Sequence, residues 1–272
     1  MIYLTLDISP FDLKDTFECG QCFRWNEIND GSYTGVALGK VLNIKKSPEG
    51  VVLSDDSPLW EEYFDLSTDY NRIMKVLGSD PIMENAIKDG CGIRILKQEL
   101  EETVISFIIS QNNNIPRIKS IIEKLCETFG TDLGNNFYSF PEMSKLAALS
   151  PENLAFLKEW YRDSYIIDAA QKLYLKQLDF DAIKYAPIDE ARAEISKIKG
   201  VGPKVADCIL LFGAYRTEVF PTDVWMKKVL THFYKFDNLS PKEINKFAHE
   251  KFGNLAGYAQ QYLFNSARIN KI

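Results

Sequence analysis

Apolar and polar positions change their period once along the chain. In the first third, short stretches alternate or run apolar over a few residues: Ile2 to Asp7, Cys22 to Trp25, Tyr33 to Leu38, Val41 to Ile44 and Val51 to Leu53. Asn29-Asp30-Gly31 and Ser47-Pro48-Glu49-Gly50 punctuate them and leave no room for crossover helices, so these stretches predict an antiparallel meander. From about Thr68 the apolar residues recur at helical spacing. Helices are predicted over 100–110, 115–129, 151–156, 163–175, 189–198, 203–215, 224–233, 241–252 and 255–268. Gly130 marks one C-terminus, and Ser150-Pro151 and Ser240-Pro241 each set a hydroxyl N-cap before a proline at the first helical position. The pattern predicts an α+β protein: an N-terminal antiparallel sheet domain over 1–95, packed on a larger helical body over 96–272.

Composition narrows the function classes. Of the 272 residues, 46% are hydrophobic and 26% charged, the balance of a packed globular chain. Lys and Arg number 32 against 38 Asp and Glu, a formal charge of −6, so no global positive field holds a polyanion and any nucleic-acid site must be local. No run approaches the ~18 apolar residues of a membrane helix, and the first residues reach Asp7 before a signal sequence could form. We expect a soluble, cytoplasmic protein. The five cysteines are odd in number and scattered, which predicts reduced thiols. Cys19-Gly-Gln-Cys22 has metal-ligand spacing, but His232 and His249 are the only histidines and no second pair completes a zinc site.

The chemistry concentrates in Ile198-Lys199-Gly200-Val201-Gly202-Pro203-Lys204-Val205-Ala206-Asp207-Cys208. Gly200 and Gly202 flank one apolar residue between two helices, which lets the backbone turn tightly and aim free N–H groups outward at a phosphate. Between residues 191 and 235 eight Lys/Arg face four Asp/Glu, a local positive surplus. Pro203 fits the first helical position, so Lys204 falls in the first turn, where the helix dipole and any burial should lower its pKa. A partly neutral lysine attacks an electrophilic sugar carbon and forms a Schiff base; the alternative is a lysine that binds phosphate. Asp223, at the start of the next helix, reads as an N-cap, as a carboxylate stabilising an oxocarbenium-like sugar, or as both.

The hairpin over about 190–235, with Lys204 and Pro221-Thr222-Asp223-Val224, resembles the helix-hairpin-helix and Gly/Pro-Asp motif of the base-excision DNA glycosylases. Cys19-Gly20-Gln21-Cys22-Phe23-Arg24-Trp25, Ser110 to Ile118 and Ala256 to Phe264 are similar, in order and interval, to segments of the 8-oxoguanine DNA glycosylases/lyases, so the resemblance spans nearly the whole chain. It implies that Lys204 is the nucleophile and Asp223 its electrostatic partner. It also implies that the Gly20 carbonyl accepts the N7–H that distinguishes 8-oxoguanine, that Gln260 reads the Watson–Crick edge of the flipped base, and that Cys208 and Phe264 sandwich its ring. Asn112, Arg117 and Arg162 match residues that contact the unpaired opposite base, and Tyr161 a wedge in the duplex. Read singly, Asn112 to Asn114 also suit a polar helix boundary, Tyr161 an interface aromatic, and Gln260 with Phe264 a polar and a core position of a terminal helix.

Trp225 departs from the animal and yeast members of the family, which have a histidine there that helps hold a DNA phosphate. The C-terminus lacks the cysteine cluster of the iron–sulfur branch of the superfamily. The resemblance thus implies a bifunctional glycosylase and AP lyase of base excision repair, a monomer acting in a prokaryotic nucleoid without cofactor or catalytic metal on duplex DNA with 8-oxoguanine opposite cytosine. Two rivals remain. An alkylpurine glycosylase of the same superfamily has no lysine nucleophile, and a noncatalytic hairpin module has no use for Asp223, Gln260 or Phe264.

Overall fold

The computed structural model describes residues 4–6, 10–48, 50–236 and 239–270. The predicted meander is present. Strands β1 (Leu4–Leu6), β2 (Trp25–Glu27), β3 (Tyr33–Ala37), β4 (Lys40–Ser47) and β5 (Gly50–Leu53) form one antiparallel sheet in the order β1-β5-β4-β3-β2. The ends of the Ile2 to Asp7 run and Glu49 of the second turn lie outside the described residues. Leu38 (φ 55°) and Gly39 (φ 67°) make the tight β3–β4 turn, whose two positive φ angles match the strand twist and fix the pairing of Ala37 with Lys40. One sheet face is buried on a small aromatic core in which Phe17 stacks on Trp25 at 4.4 Å and Trp60, Phe64 and Leu53 are fully enclosed.

Several elements differ from the pattern read in the sequence, among them the short helices Leu59–Tyr63, Met143–Ala147 and Phe180–Tyr185. A helix, Leu13–Glu18, interrupts the strand-rich segment; its six residues are too few to show a period, and Asp12 starts it by accepting the Asp15 N–H at 2.9 Å. Residues 132–138 form a small hairpin turned by Asn135 and Asn136, both at positive φ. Residues 151–157 wind as a tighter 3-10 helix in place of an α-helix. The long helices match closely because their caps are local: Asn114 caps Ile115–Phe129, Asp223 caps Val224–Tyr234 and Ser240 caps Pro241–Phe252.

The two cores interleave along the chain. Phe64 and Leu96 belong to the small core, whereas Tyr70, Ile73, Leu77, Met83 and Ala86 of helices Tyr70–Leu77 and Pro81–Gly90 pack into the large one. Helix Leu100–Ser110 runs through that large core, with residues 103–109 buried and Phe107 stacked on Phe212 at 5.5 Å. The terminal helix, Ala256–Ile269, is held from the N-terminal side, where Ser266 Oγ donates to Asp89 Oδ2 at 2.6 Å. Tyr258 pairs with Tyr215 at 2.6 Å, Tyr215 with the buried Asp65 carboxylate, and Asp65 also accepts from Tyr70 Oη at 3.0 Å. Among the described residues no helix is long and apolar enough to cross a membrane.

Candidate active site at the hairpin cleft

The hairpin joins helix Ile188–Ile195 to helix Pro203–Gly213, and Arg192 Nε braces the pair by donating to Asp207 Oδ1 at 2.6 Å. Gly200 has φ +79°, and a Cβ there would meet the Tyr165 ring at 2.2 Å, so both backbone shape and packing demand glycine. Gly202 is the N-cap of the second helix, with open space where a Cβ would project. Neither the Gly200 nor the Gly202 N–H has an acceptor among the described residues, which leaves both free for a phosphate. Gly200→Ala should lower the melting temperature and weaken duplex binding together, with a stability loss of about 1–3 kcal/mol from backbone strain alone. Thermal unfolding and a binding isotherm on the same preparation check this, and an unchanged melting temperature would show that the turn relaxes freely.

Lys204 and Asp223 open on one cleft of about 720 Å³, lined also by Asn112, Arg117 and Trp225. Each of the two is set by a helix N-terminus. Lys204 follows Pro203 at the start of its helix, and Asp223 Oδ1 accepts the Met226 N–H at 2.7 Å, so the N-cap assignment holds and the carboxylate is aimed by it. The Lys204 ammonium lies over the Phe107 ring, 5.6 Å from its centroid. Its pKa is corrected in direction. The Cys208 sulfur one turn on, followed by the Asp223 carboxylate, outweighs desolvation and holds Lys204 above its ordinary value, not below it. Burial in turn pushes the Cys208 thiol up.

The predicted base-binding residues are set by both local and long-range contacts. Gly20 (φ +86°) sits in the loop after helix Leu13–Glu18. Its neighbour Gln21, fully buried, donates to the Thr16 carbonyl at 2.9 Å and the Arg94 carbonyl at 2.7 Å and accepts the Leu96 N–H at 2.9 Å. Nothing in local sequence singles out Gln21 as the clamp of that loop. Gln260 is buried and accepts from Gln261 Nε2 at 2.6 Å; Phe264, one turn on, is half-buried. Trp225 packs edge-on against Phe264 with ring centroids 4.9 Å apart, which ties the terminal helix to the helix of Asp223. A hydrophobic ring thus stands at the position where the resemblance implies a phosphate-holding histidine.

The predicted opposite-base group divides. Asn112 (φ 48°) is exposed between two helices, and Arg117 is exposed on the cleft, donating to the Lys158 carbonyl at 3.2 Å. Tyr161 is 53% exposed and meets Tyr165 edge-on at 5.5 Å. Arg162 is buried instead, its guanidinium donating to Glu159 Oε2 at 2.9 Å and to the Gln111 carbonyl at 2.6 Å. Glu159, completely enclosed and also 3.4 Å from Arg117, is the residue that the sequence pattern missed; a lone acid between Lys158 and an aromatic pair was its only signal. The Cys19 and Cys22 thiols are buried and donate to the Thr16 and Phe17 carbonyls, and among the described residues no three His, Cys, Asp or Glu side chains gather as metal ligands.

Comparison with known proteins identifies the family. The chain is 31% identical to the probable N-glycosylase/DNA lyase of Methanothermobacter thermautotrophicus, over 97% of this chain and 96% of that protein. It is 32% identical to the N-glycosylase/DNA lyase of Saccharomyces cerevisiae, over 96% and 85% respectively. The structure superposes with a TM-score of 0.92, at 41% identity over 97% of this chain and 93% of the other, on the Clostridium acetobutylicum 8-oxoguanine glycosylase/lyase in complex with double-stranded DNA containing cytosine opposite 8-oxoguanine. At 18% identity, the Archaeoglobus fulgidus 3-methyladenine DNA glycosylase shares the fold with a TM-score of 0.77. Residues 3–104 match the N-terminal domain of 8-oxoguanine DNA glycosylases. With residues 105–254, which contain the hairpin, Lys204 and Asp223, matching in the same way, the chain belongs to the HhH-GPD superfamily of base excision DNA repair proteins.

Proposed function

We propose that the protein is a bifunctional DNA glycosylase and AP lyase that excises 8-oxoguanine, paired with cytosine, from duplex DNA. The observation that carries this reading is the convergence of Lys204 and Asp223, each aimed by its own helix start, on one cleft beside two free hairpin amides. The hairpin amides hold a backbone phosphate, and the flipped nucleotide enters the cleft. The neutral Lys204 amine attacks C1′ as the C1′–N9 bond breaks and the electron pair leaves with the base. Asp223 stabilises the positive charge developing on the sugar. The adduct opens to a Schiff base, and loss of a C2′ proton then expels the 3′ phosphate and nicks the strand. In this reading Gly20 and Gln260 read the base, Cys208 and Phe264 enclose it, and Asn112, Arg117, Tyr161 and Arg162 serve the opposite strand. Arg162 does so by fixing the cleft wall, since Glu159 and Gln111 occupy its guanidinium. One chain supplies every site residue, so a monomer suffices, and the compartment in which it works is wherever the genome is accessible, the cytoplasm of a prokaryotic cell.

Incubation with an 8-oxoguanine duplex and borohydride tests the assignment. A covalent protein–DNA adduct is expected, because only an amine that has formed a Schiff base is trapped by reduction; base release without an adduct would favour the alkylpurine type of chemistry. The Lys204–Cys208 contact gives a second test. Since Cys208 leads the effects that raise the Lys204 pKa, Cys208→Ala should move the alkaline rise of single-turnover excision to lower pH. Rate–pH profiles at saturating enzyme measure the shift, and coincident profiles would remove Cys208 from any part in setting the nucleophile.

A further inference from the structure

Among the described residues Trp160 is the most exposed of the large hydrophobic side chains, at 83%, and it is held where an L-residue is strained: φ is 57° and ψ −115°, the mirror image of the extended region. Glycine adopts this backbone at no steric cost, whereas a tryptophan does not. Its surroundings enforce the conformation. Lys158, two residues before, is left-handed; Glu159 is completely buried between Arg162 and Arg117; and the Trp160 carbonyl accepts the Asp163 N–H at the start of helix Tyr161–Tyr174. The same contacts join the segment to the cleft, since Arg117 reaches the Lys158 carbonyl and Arg162 the Gln111 carbonyl, and both Arg117 and Gln111 line the cleft. The frame therefore presents two adjacent exposed rings, Trp160 and Tyr161, on the segment that Arg117 and Arg162 tie to the cleft wall. An exposed indole contributes nothing to the core, and strain imposed by a fully buried ion pair marks a functional position.

Resting on the glycosylase reading above, we infer that Trp160 is a second stacking residue beside Tyr161, whose indole covers the base left unpaired opposite the flipped lesion. An indole offers the largest ring face of any side chain, and stacking on it tolerates any base. Trp160 would then act as a positioning residue that holds the duplex open while Arg117 faces the partner base. Because the contact is not base-specific, its loss should weaken binding whichever base stands opposite.

Trp160→Gly tests this without threatening the fold, because glycine relieves the backbone strain; its melting temperature should equal or exceed that of the parent protein. In a Lys204→Gln background, which keeps the lesion intact, duplex binding should weaken about tenfold. With 2-aminopurine as the base opposite 8-oxoguanine, the fluorescence quenching seen on binding should shrink in Trp160→Gly and be largely kept in Trp160→Phe. Unchanged affinity and quenching in Trp160→Gly would overturn the assignment, as would a lowered melting temperature, which would make the ring part of the fold. Borohydride trapping by the protein with Lys204 intact reports separately on the glycosylase reading, so the two can fail independently.

Discussion

Lys204→Gln should bind an 8-oxoguanine duplex within a few-fold of the parent protein while losing base release by about 10³-fold or more, together with all borohydride trapping. Glutamine keeps much of the reach of lysine but carries no nucleophilic amine. The side chain lies over Phe107 at the cleft and forms no ion pair that the fold depends on, so its replacement should cost little stability. Single-turnover excision measured alongside binding separates chemistry from recognition. An adduct at the parental level in this variant would move the nucleophile to another amine and leave Lys204 as a phosphate ligand.

Asp223→Asn separates the two roles of that carboxylate. Asparagine caps a helix about as well as aspartate, so the bond to the Met226 N–H survives and stability should change by less than about 0.5 kcal/mol. The negative charge beside C1′ is lost, and single-turnover excision should fall by about 10²-fold or more, with a smaller change in binding. Asp223→Ala should add a stability loss of about 1 kcal/mol to the same kinetic defect. If Asp223→Asn excised at the parental rate while Asp223→Ala did not, the carboxylate would be a cap alone and the sugar cation would draw its stabilisation from elsewhere.

The sequence carried the parts of this site that depend on local chemistry. Gly200, Gly202 and Pro203 announce a hairpin because φ preference and the missing proline N–H act within a few residues, and Asp223 announces a cap for the same reason. What remained hidden depends on partners distant in the chain. The rise in the Lys204 pKa requires the Cys208 sulfur and the Asp223 carboxylate at one point in space, and a rule about helix dipoles gave the opposite sign. The burial of Arg162 depends on Glu159 and on a carbonyl from Gln111. Trp225 could be read as a lost phosphate contact, but its packing on Phe264 becomes visible only when the terminal helix is in place. The hairpin at 132–138 escaped because its strands, three and two residues long, are too short to show an alternating pattern.

The bond from Ser266 to Asp89, and the chain from Tyr258 through Tyr215 to Asp65, bear on how such an enzyme can be cut or recombined. The sequence families meet at residue 104, yet the helix bearing Gln260 and Phe264 is anchored on residues 65–90, and Gln21 is clamped to residues 94–96. A polypeptide beginning at residue 105 would keep Lys204 and Asp223, the proposed nucleophile and its carboxylate, but it would lack Gly20 and the surface on which the terminal helix rests. Exchanging N-terminal segments between relatives would therefore transplant the supports of the proposed lesion pocket along with the sheet, and a chimera joined at that seam should inherit its base preference from both parents.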